Sequence, residues 1–268
     1  MLESFLDFKE IKNRPHMMLI WAVIISSIAV LISAQISYKV PIGETIFNLS
    51  GLFSVLFTII PAAYFLTVMI KREEALEERE IIRYHKKSFW EKHKLHLIWT
   101  SLFFIGLTLS FAFWCLVLPE DFFQVQHNKI DQIQGRITGE YIRGDFNSFV
   151  RIVYNNLQVM IFAFLFSLIF GAGAVFIITW NASILGVAIA RNCKHIAEIP
   201  LVGLGYLPHG LPEITAYLLA GLAGGIISAA VIKRNDWRVL KVIIMDSLKL
   251  LVLASILIVI AGIIEVYL

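Results

Sequence analysis

Charge is scarce in this chain, and so are the residues that mark enzymes and disulfide scaffolds. Only 16% of the 268 residues are charged, where an ordinary soluble domain has about a quarter. A net charge of +3 offers no basic field for nucleic acid, so no nucleic-acid partner is expected. Cys115 and Cys193 are the two cysteines; with no CxxC pair they exclude a disulfide framework and read as small packing residues. No HExxH, GxSxG, Walker A or dinucleotide fingerprint occurs. No catalytic residue, cofactor or metal site is therefore expected, and the protein reads as a non-enzyme.

Apolar sequence is what abounds. Hydrophobic residues make up 58% of the chain and the mean hydropathy is +0.77. This composition belongs to a membrane protein, and the length leaves no room for a large soluble domain. The expected fold is all-α: a polytopic membrane helical bundle with about six apolar segments and one broken or re-entrant segment.

Residues 1–16 place Leu2, Phe5 and Leu6 on one helix face, with Glu3, Asp7 and Glu10 turned away. Two readings stand for them, an interfacial amphipathic segment and a frayed terminus. Their mixed charges, followed by a run of full span length, do not form a signal-peptide pattern. Residues 17–268 read as a single membrane domain. Apolar runs fall at 17–36, 49–70, 97–118, 157–180, 214–232 and 242–268, each near the length a bilayer requires. Pro61 should kink the second. The charged stretch 71–96 reads as a cytoplasmic helical arm. His85, His93 and His96 within it lack a recognised ligand spacing and read as solvated helix surface. The connection 120–156 reads as an outer loop or cap, a candidate partner surface.

Orientation follows from the basic residues. The arm 71–96 should lie in the cytoplasm, which puts the N-terminus there too. Lys233, Arg234, Arg238 and Lys241 call for the same side. Both conditions hold only if the chain crosses outward between Trp180 and Tyr206. Arg191, Lys194, Glu198 and Pro200 interrupt that stretch, so a broken crossing or re-entrant hairpin is expected over 181–206.

Pro208-His209-Gly210-Leu211-Pro212-Glu213 stands between apolar runs. Pro212 suits the first turn of a helix, where Glu213 meets the positive dipole end. Gly210 frees the backbone there. One reading is a plain helix start, with His209 and Glu213 capping loose N–H groups. The other is a buried polar junction, in which Asn155, Asn156 and Asn181 join His209 and Glu213. His209 and Glu213 alone are too few ligands for a catalytic zinc. Downstream, Gly221 and Gly225 form a GxxxG, with Gly224 offset by one, which serves packing within the chain or between chains.

Several of these stretches recur together in a known family. They are Arg14-Pro15, the Glu-rich arm ending in His93, Phe123-Gln124-Val125-Gln126, Asn155-Asn156, the stretch from Gly171 to Trp180-Asn181 with Leu185-Gly186, and Pro208-His209-Gly210-x-x-Glu213 followed by Gly221-x-x-Gly224. In them the chain resembles the stage II sporulation protein M family, in its archaeal-type branch. Ala182 departs mildly from the glycine more frequent there. The resemblance implies a membrane scaffold. Members in spore-forming bacteria work with cell-wall-cleaving enzymes as the septal membrane migrates. The expected partners are thus the lipid bilayer, membrane or envelope proteins, and a second copy of the chain. A transporter or channel-like protein, with a polar site near His209, is the alternative.

Overall fold

The computed structural model describes residues 14–36, 38–42, 45–64, 67, 89–140, 145–171, 173–233 and 236–268. Most of segment 1–16 and of arm 71–96 lies outside them. The described elements are α1 (Met17–Ile36), a hairpin of β1 (Lys39–Ile42) and β2 (Thr45–Asn48), α2 (Ser50–Tyr64) and α3 (Phe89–Val117). After a short 3-10 turn at Glu120–Phe123 come α4 (Gln124–Glu140), α5 (Phe146–Phe170), α6 (Ala174–Arg191), α7 (Ile199–Ile232) and α8 (Trp237–Tyr267). Among the described residues, six helices are long and apolar enough to cross a membrane: α1, α3, α5, α6, α7 and α8. The hairpin is the only sheet among them.

The fourth and fifth apolar runs divide differently from expectation. Asp145 caps α5, its carboxylate accepting from the Ser148 N–H at 3.0 Å, so this helix starts well before Leu157. It ends at Gly171, whose φ of 72° an L side chain rarely adopts. A new helix, α6, then carries Asn181 in its interior. At 18 residues, α6 is about 27 Å long, close to the thickness of a bilayer core. The interruption expected over 181–206 narrows to a link at 192–198 between two continuous helices.

The described residues cluster into two compact units. The first holds α1, the hairpin, most of α2 and α3, the start of α4, and the later part of α6 with its link. Its core is aromatic: Trp99, Phe103, Phe111 and Phe123 are almost fully buried. Helices approach closely where glycine allows it. A Cβ on Gly106 would stand 2.5 Å from the Leu19 carbonyl oxygen, and one on Gly186 would stand 2.7 Å from that of Thr108.

The second unit holds α5, the start of α6, most of α7, and α8. Small residues make its contacts. A side chain at Gly221 would collide with Ala174, and one at Gly224 with the Phe164 carbonyl. The Gly221 motif therefore packs inside the chain, with Gly221 and Gly224 as the contact pair, while Gly225 is buried. Gly262 brings α8 against Val153 and Phe149 of α5.

Candidate functional site

Pro208 and Pro212 lie inside α7, which begins at Ile199. The expected helix start at Pro212 is not where the helix starts. A proline removes the bond to the carbonyl four residues earlier, so the helix loses those of Leu204 and Pro208. Both lie on one stripe, 204–208–212, and the bonds on the other stripes carry the helix through.

His209 and Glu213 then fall one turn apart on the same face. Both are half-buried. Glu213 accepts a hydrogen bond of 2.6 Å from the hydroxyl of Tyr217, one further turn along, and Tyr217 is 1% exposed. The ring of His209 lies 6.3 Å from that of Tyr206. Glu265 of α8 is close enough to both His209 and Glu213 for their charges to interact.

The second unit brings the two span-four asparagines to the same level. Gly262 meets Val153, Ser255 Oγ lies 4.0 Å from Met160 Sδ, and Tyr267 lies 6.3 Å from Phe149. These contacts run in opposite directions along α5 and α8. Ser247 Oγ donates to the Ala223 carbonyl at 3.2 Å, which ties α8 to α7. Counting back along this pair as antiparallel, since only four residues separate Ile232 from Trp237, puts Pro208–His209 level with Gly262, and so with Val153. Asn155 and Asn156 lie within a turn of that level. Asn156 is buried and Asn155 exposed, and the Asn155 amide nitrogen donates to Asn156 Oδ1 at 3.4 Å. Asn181 is half-buried in α6, in the first unit, and already has an interaction.

His209, Glu213 and Tyr217 thus share one face of α7 with Glu265 near them, while Asn155 and Asn156 lie near the His209 level on α5, Asn155 exposed. Tyr217 had a signal in sequence, since i and i+4 share a helix face. Glu265 had none, because only the α7–α8 pairing brings it near. Gly210 meets no neighbour: a Cβ there would find nothing within 4 Å. Among the described residues, no three His, Cys, Asp or Glu side chains are placed to hold a metal ion.

A second polar cluster, in the first unit, has a different design. Gln124 Oε1 accepts from the Asn48 N–H at 2.7 Å, and Gln126 Nε2 donates to the Gly51 carbonyl at 2.9 Å. Asp121 takes Lys39 Nζ at 2.9 Å and Asn48 Nδ2 at 3.1 Å. The Lys39 bond, helped by Asn48, holds the Asp121 carboxyl below the ordinary carboxylate value. Phe123 packs edge-on against Phe111 at 6.3 Å. The Phe-Gln-Val-Gln sequence is therefore a clamp on the hairpin and on the start of α2.

Six helices of spanning length and polarity define the class: this is a multi-pass α-helical membrane protein. Within that class, the chain belongs to the stage II sporulation protein M family, which matches residues 99–268. It is also similar to a protein of Methanocaldococcus jannaschii, described as uncharacterized protein MJ0793. The two are 31% identical over 144 residues, covering 52% of this chain and 81% of the relative. No solved structure matches the chain.

Proposed function

We propose that this protein is a non-enzymatic scaffold of the cell membrane that assembles other membrane or envelope proteins. One observation carries the reading. A membrane-length helix of the second unit carries exposed carboxamides, Asn155 and Gln158 on α5. Hydrocarbon cannot satisfy such groups, so they call for protein neighbours or the headgroup layer. The transporter alternative drew on a broken segment facing His209. With α7 continuous and Glu213 bonded to Tyr217 on its own helix, that alternative has less to stand on.

The test is photo-crosslinking in native membranes from a reactive residue at Gln158. The scaffold reading expects defined membrane-protein adducts that disappear in the Asn155→Leu variant. Adducts to lipid alone would overturn it.

The same proposal sets the orientation. Arm 71–96 and the connection 233–236 lie on one side when α3, α5, α6 and α7 all cross, because four crossings return the chain to its starting side. We place that side in the cytoplasm by the Lys/Arg excess, and the N-terminus with it on the reading that the apolar run 49–70, which contains α2, is a further crossing. Link 192–198 is then external. An impermeant maleimide should label Cys193 from outside and leave a cysteine at Asp236 untouched; the reverse pattern would sink this topology. Burial, with the Glu198 charge second, raises the Cys193 thiol above its ordinary value. Its labelling rate should therefore keep rising past the pH at which a free thiol levels off.

A further inference from the structure

The exposed face of α5 changes character along its length. Ile161, Phe162, Leu165, Phe166 and Ile169 are exposed in its second half, as lipid contact requires. In its first half the same face carries Arg151, Asn155 and Gln158, all exposed. Their spacing, i, i+4 and i+7, makes one continuous stripe. A crossing takes about 20 residues, and counting them back from Phe170 reaches Arg151. Asn155 and Gln158 therefore stand within the hydrocarbon layer, and among the described residues both are exposed.

We infer that this stripe is a self-association surface, covered by α5 of a second copy. The inference rests on the scaffold reading and names one partner for it. The chemistry selects the occupant. A carboxamide carries both donors and acceptors, so an amide satisfies another amide. Two copies inserted the same way are related by a twofold axis along the membrane normal, and a residue near that axis meets its own counterpart at equal depth. Asn155 then meets Asn155 and Gln158 meets Gln158, each pair self-complementary. On α8, Glu265 fails this condition because it would meet like charge, and Lys249 is already paired with Asp246 at 2.7 Å. Arg151 stands at the end of that count, at the headgroup level, where water and headgroups take its charge. The small-residue stripe of α7 is not available, because Gly221 and Gly224 are spent on contacts with Ala174 and α5.

The experiment uses the full chain, purified and reconstituted in phosphatidylcholine vesicles at falling protein-to-lipid ratio. Association is read by energy transfer between labelled copies. The wild type should form dimers, and the Asn155→Leu, Gln158→Leu double variant should associate at least about tenfold more weakly, in line with hydrogen bonds between helices in lipid. Its Tm should not fall, since leucine suits a lipid-facing position, and an unchanged Tm shows that folding is intact. In a background lacking Cys115 and Cys193, Gln158→Cys should oxidise to a disulfide-linked dimer and Lys249→Cys should not. Wild-type protein that stays monomeric at every ratio, or dimers indifferent to the double variant, would overturn the inference. A monomer whose other membrane partners are still lost with the double variant overturns self-association alone and leaves the scaffold reading standing.

Discussion

The two units use polar side chains in opposite ways. In the first, a set of them reaches across the sequence to backbone or to each other: Gln126 to Gly51, Gln124 to Asn48, Lys39 to Asp121, and Trp114 to Ser27 at 3.0 Å. Those bonds join elements 75 to 87 residues apart in the chain, so they hold the tertiary structure. In the second unit, several pairings stay on one helix: Tyr217 to Glu213, Asn155 to Asn156, and Lys249 to Asp246 at 2.7 Å. Its helices are joined mainly by small residues. Polar groups that bind across the fold are committed to it. Polar groups paired along one helix, or turned outward, are left for other molecules.

Stability measurements can break this contrast. The largest loss should come from Gly224→Val, which drives a branched side chain into the α5 backbone, where the Leu168 nitrogen would lie 2.9 Å from the new Cβ. Backbone cannot move aside cheaply, so about 3 kcal/mol is expected, read as a lower Tm in detergent. Next is Gln126→Leu in the clamp. It strands the Gly51 carbonyl in a buried place and should cost about 2 kcal/mol. A smaller effect than that of Tyr217→Phe, set next, would mean that the clamp does not hold the first unit.

Tyr217→Phe removes one bond along a single helix and should cost about 1 kcal/mol. The smallest effect belongs to Asp121→Asn, below about 0.5 kcal/mol, because Asp121 and Lys39 are both about half exposed and water screens them. Here pH sharpens the prediction. The folded-state value of Asp121 is depressed, so its contribution is complete above an unfolded value of about 4 and is lost as pH falls through the lower folded value. The difference in Tm between wild type and Asp121→Asn should therefore shrink in acid. A difference that grows would reverse the sign of the argument.

Hydropathy made the helical membrane fold legible, because a bilayer-length apolar run leaves few other structures open. The helix boundaries in the second half were less legible, for reasons local to a few residues. Asn181 looked like a break, yet one amide inside an apolar helix costs no backbone bond. Pro208 and Pro212 looked like a corner, yet their losses fall on one stripe of a helix of 34 residues. The break falls at Gly171, in a run of small residues that permits either close helix contact or a break, and its φ is positive. Of the site, the His209–Glu213 pair and the two asparagines were visible as polar residues in apolar surroundings. Glu265 was not, since its place depends on a helix pairing that no local pattern encodes.

The three-residue connection between Phe170 and Ala174 also bears on how the protein is made. Ser167 Oγ accepts from the Ala174 N–H at 2.9 Å, closing the end of one helix onto the beginning of the next. The connection has no charge and no length to spare. A translocating ribosome can deliver α5 and α6 to the membrane only as a pair, and nothing between them can instruct the second helix which way to point. The direction of α6 is inherited from α5. An epitope inserted at 171–173 should therefore block biogenesis, while the same epitope in the polar link 192–198 should be carried without harm.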